Sequence, residues 1–173
     1  MITLFKDEEI ILIQRRHWLP FFSKSISLLF LAILPFIIFA LSQALPQNIQ
    51  IIFLNYSNYY FFFTFSLIFI LWLIFVVLWT NYYLDFILIT NKRIIDVEQF
   101  NLFKRDESEL RFEDVEDIKV EISGIIPSLF KFGNINIQSA GETREIILKN
   151  IPDPYKIKDL VAHQIEKNKE LKK

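Results

Sequence analysis

The chain has 173 residues, 53 % of them apolar, with three Gly and no Cys, and its mean hydropathy is +0.33. The 19 Lys and Arg against 20 Asp and Glu leave a formal charge of −1, so no basic excess points to nucleic acid. Without Cys there is no disulfide framework, thiol nucleophile or thiolate metal site. Positions 25 to 84, 60 consecutive residues, carry no charge at all, which excludes an ordinary soluble domain and predicts a membrane protein with a small water-soluble part.

Residues 1–24 read as a cytoplasmic juxtamembrane segment. Polar residues then divide the uncharged block: Gln43, Pro46, Gln47, Asn48 and Gln50, followed by Asn55, Ser57 and Asn58. A first span over 25–45 reaches ~31 Å as a helix, about one hydrocarbon thickness. A second, over 59–84, crosses with tilt or with its ends in the headgroups. Residues 46–58 form a short extracytoplasmic loop, and the two spans make a membrane hairpin. Lys6, Arg15, Arg16 and Lys24 precede it, the loop has no cation, and Lys92, Arg93, Lys104 and Arg105 follow. Cations resist translocation, so both termini are expected in the cytoplasm, at a cell membrane crossed twice. Trp18, Trp79, Tyr82 and Tyr83 fit the inner boundary, and Tyr56, Tyr59 and Tyr60 the outer one. A cleaved signal at Ala40-Leu41-Ser42 is the rival reading; the apolar run is too long for it and acids precede it. Pro35 is expected to bend the first span as a packing feature. The second span lacks small residues at four-residue spacing, so close helix pairing is not expected.

From Asp85 the composition changes abruptly, and residues 85–173 read as one soluble domain. Leu84–Thr90 and Arg93–Gln99 predict a hairpin about Asn91-Lys92, with Ile95 and Val97 alternating against Asp96 and Glu98. Further strands are expected at Leu102–Leu110, Glu116–Ile122, Asn134–Ser139 and Thr143–Lys149, with a short extra one at Leu129–Phe132. Gly133 and Ala140-Gly141 punctuate the last of them. After Asp153-Pro154 the period changes: Ile157, Leu160, Val161 and Ile165 make one stripe of a closing helix, with Asp153 as cap and Pro154 in its first turn. Strands followed by one helix predict a small antiparallel β barrel or sandwich plugged by that helix, the layout of a pleckstrin-homology-like (PH-like) fold.

Several segments carry a family resemblance: Ile89-Thr90-Asn91-Lys92-Arg93-Ile94-Ile95, then Leu102-Phe103-Lys104-Arg105 through Phe112-Glu113-Asp114-Val115-Glu116-Asp117-Ile118. Phe132-Gly133-Asn134-Ile135-Asn136-Ile137 and Ala140-Gly141 complete the set. In order and spacing they resemble bacterial pleckstrin-homology domains of the YdbS-like type, whose members often place two transmembrane helices before the domain. A segment like Glu8-Glu9 through Arg16-His17-Trp18 also precedes the first helix in that family. Asn101 departs from the pattern, where Gly is common; Asn is the next residue able to take a left-handed turn. The resemblance implies a fold and a location and brings no catalytic motif.

The inventory for chemistry is thin. His17 and His163 are far apart in sequence, three scattered Gly make no phosphate loop, Ser128 and Ser139 stand in no nucleophile motif, and the spans hold no ionisable group. No enzyme activity, metal or cofactor is expected, and neither a small-molecule substrate nor nucleic acid is implied. The expected role is a membrane-anchored binding or scaffolding module with a protein partner or a second copy. The alternatives are recognition of anionic lipid headgroups or an accessory place in a transporter or channel. Lys92, Arg93, Lys104 and Arg105 are candidate lipid or partner contacts, with topology-setting cations as the simpler reading. Seven acids between Asp106 and Asp117 oppose an anionic surface and offer a face to a basic partner. Ile125, Ile126, Leu129 and Phe130 are a candidate apolar interaction loop, core burial being the default for them.

Overall fold

A computed structural model describes the chain apart from residues 1–3, 6, 140–144 and 172–173, and the side chains of residues 48, 49 and 171 are also left undescribed. The expected turn at Ala140-Gly141, the start of the expected strand at Thr143 and the cation Lys6 lie outside the described residues. Two units make up the chain: residues 1–18 together with 81–173, and residues 19–80.

Among the described residues, the first unit has seven strands in two antiparallel sheets. One sheet has the order β1 (Ile10–Arg15), β2 (Phe86–Thr90), β3 (Arg93–Gln99) and β4 (Arg105–Arg111). The other has the order β5 (Val115–Glu121), β6 (Phe132–Ser139) and β7 (Glu145–Pro152). The hairpin about Asn91-Lys92 forms as expected, with Ile89 opposite Ile94. The strand β1 is not among the sequence-based expectations. It precedes the long helices in the chain and pairs antiparallel with β2, Ile13 against Leu88 and Arg15 against Phe86. The sheet therefore starts before the helices, and the helices interrupt it between its first and second strands.

The main core lies between the sheets, where Ile87, Ile89, Ile94, Ile135, Ile137, Leu148 and Ile151 are buried together. The closing helix, α5 (Pro154–Leu171), lays Ile157 and Val161 onto this core with Leu160 and Ile165 beside them, the stripe its period predicts. Asp153 adopts φ 47°, and its carbonyl accepts from the N–H groups of Lys156 and Ile157. It therefore starts the helix through its backbone. Ile95 and Val97 join Phe86 and Leu88 in a second small cluster. Asp96, which alternates with Ile95 and Val97 in sequence, is buried like them, because β3 is covered on both faces.

The expected short strand at Leu129–Phe132 is a single helical turn, α4 (Ile125–Phe130). Gly124 at φ 103° opens it, the Ser128 hydroxyl donates to the Gly124 carbonyl at 2.8 Å, and Lys131 in left-handed conformation ends it. Only Phe132 of that segment enters a strand. At Gly133 a Cβ would stand 2.6 Å from the Glu121 carbonyl oxygen, so β5 and β6 approach there only because that position is glycine.

The second unit holds α1 (Trp18–Ser42), α2 (Gln47–Asn55) and α3 (Ser57–Leu84), with the termini of α1 and α3 belonging to the first unit. Helices α1 and α3 are long and apolar enough to cross a membrane. The expected loop 46–58 is largely the helix α2, and α1 begins before the expected start of its span. Most apolar side chains here face outward, Phe30 at 71 % and Phe63 at 67 % exposure. Aromatic contacts nevertheless join the helices, Phe39 with Phe61 at 5.3 Å and Phe21 with Trp79 at 5.6 Å. The Tyr60 hydroxyl donates to the Pro35 carbonyl, and an apolar gap of 370 Å³ remains between α1 and α3.

Candidate functional site

The four candidate cations do not form one cluster. Lys92 and Arg93 stand at one end of β3, and Lys104 and Arg105 stand beyond the other, where Gln99 pairs with Arg105. Six strand steps separate the ends, ~20 Å. Arg93 is also unavailable as a contact. Its guanidinium is buried between Glu8, whose Oε1 accepts from Nε at 2.9 Å, and Glu109, and it lies over the Phe5 ring at 4.1 Å. Arg105 pairs with Glu107 at 2.9 Å and stays on the surface. Lys104 sits 5.0 Å from the Phe100 ring. Lys92 lines a groove of 460 Å³ with Arg111, Lys169 and Glu113, floored by Phe5 and Phe112.

Two ionic clamps tie the segment before α1 to the domain after α3. In the first, the Glu8 carboxylate is fully buried and accepts from Arg93, from the Thr90 hydroxyl at 2.9 Å and from the Phe5 N–H at 2.7 Å. Burial works against its charge, but these donors outweigh it and hold Glu8 below the usual carboxylate range. In the second, Arg16 reaches Asp85 at 3.2 Å, Glu98 at 3.4 Å and Asp96 at 3.5 Å, and Lys149 pairs with Glu98 at 3.3 Å. Three carboxylates thus face two cations. Burial is the main reason that Asp96 is pushed up to about 6, with Glu98 and Asp85 adding to it against Arg16. Burial likewise raises Asp85.

The second clamp holds together the two places where the chain passes into and out of the long helices. Arg16 precedes Trp18 and Asp85 follows Leu84; Arg15 also lies over the Tyr83 ring at 4.5 Å. His17 stacks on Phe132 at 4.6 Å, and Trp18 meets Phe130 edge-on at 6.5 Å. Burial lowers the His17 pKa, and its backbone N–H donates to Asn150. On the other side, Asn81 donates through its side chain to the Phe100 carbonyl at 3.0 Å, and Asp85 accepts from the Gln99 N–H at 2.6 Å.

Exposed apolar groups flank this junction. Between β3 and β4 the turn carries Phe100, Leu102 and Phe103, the last 96 % exposed. Asn101 shapes that turn without left-handed backbone: its side-chain oxygen accepts from the N–H groups of Phe103 and Lys104 at 3.1 and 2.9 Å. On α4, Ile125 is 86 % and Leu129 73 % exposed, with Ile126 and Phe130 also outward. The default of core burial for this segment is therefore overturned, because one short helical turn cannot present four apolar residues to the core. Sequence reading missed the Phe100–Phe103 tip; three apolar residues around an Asn turn were the available signal. Arg16 enters the sequence-based expectations through topology and the family resemblance, without its carboxylate partners.

Among the described residues no group of three or more His, Cys, Asp or Glu could hold a metal ion. Two antiparallel sheets closed by a C-terminal helix fit a PH-like fold, and the bacterial PH domain profile matches residues 15–165. The chain belongs to the bacterial PH domain family. The PH match begins at the end of β1 and runs through the long helices into α5. No curated protein matches the chain. Among solved structures, a crystal structure of a DUF1696-family protein with a pleckstrin-homology domain from Shewanella loihica is similar at 17 % identity and a TM-score of 0.38. That similarity covers 47 % of this chain and 70 % of the other.

Proposed function

We propose that this chain is a membrane-anchored PH-like adaptor without catalytic activity, held by its hairpin at the cytoplasmic face of a cell membrane, where the domain binds a protein partner or a second copy. One observation supports the reading above others. The apolar helices leave and re-enter the domain between adjacent strands β1 and β2, with Arg16 and Asp85 joined across the gap. An anchor inserted in this way fixes the domain at two points, which suits a module that presents a surface at a membrane. Cation placement favours the cytoplasmic side for both termini.

The test uses single thiols, since the chain has no Cys. A membrane-impermeant maleimide should label Gln47→Cys in intact cells and Glu166→Cys only after permeabilisation, while alkaline carbonate leaves the protein in the membrane. The reverse labelling, or release by carbonate, overturns the anchored reading. Chemical cross-linking of the full chain in its membrane should then give one discrete higher-mass species; a monomer alone removes self-assembly. Headgroup recognition is the second reading, favoured by Lys104 and Arg105 following the tip that is hydrogen-bonded to Asn81. It requires that neutralising Lys92, Lys104 and Arg105 together weakens retention of anionic lipid by the purified chain. Arg93 is omitted because its charge is already matched by Glu8 and Glu109.

A further inference from the structure

We propose that two apolar tips of the domain, Phe100–Phe103 and the outward face of α4, are seated in the headgroup layer of the same membrane that the hairpin crosses. The inference rests on the anchored reading above and adds a specific occupant, the lipid surface. The two tips come from different sheets, yet each is tied to one boundary of the long helices. Phe100 is hydrogen-bonded to Asn81 in the last turn of α3, and Phe130 touches Trp18, the first residue of α1. Both tips are thus joined to the residues at which the chain enters and leaves its apolar block.

Their chemistry matches an interfacial depth. Phe and Leu side chains at the interface gain by leaving water, and cations beside them meet lipid phosphates. Lys104 and Arg105 follow the first tip and Lys131 ends the second. The acids nearest the first tip in sequence are Glu98, which is engaged by Arg16 and Lys149, and Asp106; Glu107 beyond it is engaged by Arg105. Tips of one or a few apolar residues next to a hydrocarbon boundary suit lipid better than a protein groove, because neither forms a continuous face.

The experiment places a nitroxide on single cysteines of the full chain in vesicles of phosphatidylcholine and phosphatidylglycerol, and compares collisions with oxygen and with a water-soluble nickel chelate. Positions 103 and 129 (Phe103→Cys, Leu129→Cys) test the tips, Glu166→Cys on α5 gives the aqueous reference, and Ile70→Cys reads the bilayer. The oxygen-to-nickel ratio is expected to rise several-fold at 103 and 129 over 166, toward the value at 70. Values at 103 and 129 equal to 166, with 70 in lipid, overturn the tip proposal and spare the anchor; an aqueous reading at 70 overturns both. Shielding from both reagents at the tips means a protein covers them and also rejects lipid seating. All four positions are exposed, so the labels leave packing intact.

Discussion

The helical unit and the β domain distribute the same kinds of residue in opposite ways. In the domain Ile87, Ile89, Ile94 and Ile137 have no exposed surface, whereas on the helices Phe30, Phe62 and Phe63 are about two-thirds exposed or more. Charges are also reversed: the domain buries Arg16, Arg93 and Asp96, while positions 25 to 84 contain no charge to bury. An apolar exterior of this extent would be costly in water and is neutral in hydrocarbon. The contrast teaches that each unit is organised by its own surroundings. The domain needs paired interior charges to select one arrangement; the helices need only length and the absence of charge.

The sharpest way to break the contrast is to cut the domain where the sequence alone places its start. Residues 85–173 by themselves should fail to fold. That fragment lacks β1, leaving β2 as an unpaired edge, and removes Glu8 from Arg93 and Arg16 from Asp85, Asp96 and Glu98. Each buried charge left without its partner costs ~3–5 kcal/mol, and a domain has only ~5–15 kcal/mol in total. Restoring β1 by joining residues 1–18 to 81–173 through a flexible linker of about ten residues should recover a folded protein. Dispersed amide NMR signals for the joined form and collapsed ones for the fragment would show this; a well-dispersed fragment would mean that β1 is dispensable.

The same cut marks what local sequence could reveal. Strand alternation in Ile135 and Ile137, the Asn91-Lys92 turn and the 3.6-residue stripe of α5 are carried by near neighbours, so they were readable. β1 was not, although Ile10–Gln14 is rich in β-branched residues, because its partner β2 lies across the whole uncharged block and no local pattern marks so distant a pairing. The clamps share that difficulty: Glu8 and Arg93 are 85 positions apart. Alternation within β3 does not reveal the burial of Asp96, because the cation beside it, Arg16, comes from the segment between β1 and α1. On α4 the apolar composition suggested core, and only the one-turn helix opened by Gly124 turns it outward. Of the candidate contacts, the apolar loop residues Ile125, Ile126, Leu129 and Phe130 are exposed, and the four cations are neighbours in the strand pattern of the sequence but not in space.

Replacing Arg16 with Met should destabilise the domain by ~3–5 kcal/mol, since three carboxylates then share only Lys149. Chemical unfolding of the full chain in detergent measures it, followed by a probe in the domain; a loss under about 1 kcal/mol would make the clamp ornamental. Core and helix surface can be set against each other directly. Ile137→Ala should cost ~2–5 kcal/mol through a cavity between the sheets, whereas Phe63→Ala on the outward side of α3 should leave domain stability unchanged within ~0.5 kcal/mol. Equal losses from the two substitutions would show that the units unfold as one.

Asp96 provides the change of opposite sign, a gain in stability. Its folded pKa, about 6, lies above the ordinary 3.8, so between these values the native state holds a proton that the unfolded state has lost. Its contribution to stability is therefore greatest below pH ~4, declines as pH rises through 6, and is constant above. At neutral pH the native protein carries the whole cost of the buried charge. Asp96→Asn removes that charge while Asp85 and Glu98 still face Arg16, so the variant should be more stable than the parent at pH ~7.5 by ~1–3 kcal/mol. Glu8, held below its usual range, acts the other way: its support is present above pH ~4.5 and is lost as acid protonates it. Because Glu8 is unchanged in the variant, subtracting the two stability curves cancels it and isolates the Arg16 clamp. The difference should shrink to nothing as pH falls from about 6.5 to about 4. A gap that persists at the acid end would mean that the substituted amide acts through packing, and a less stable variant at neutral pH would mean that Asp96 is held charged by Arg16 at a net gain.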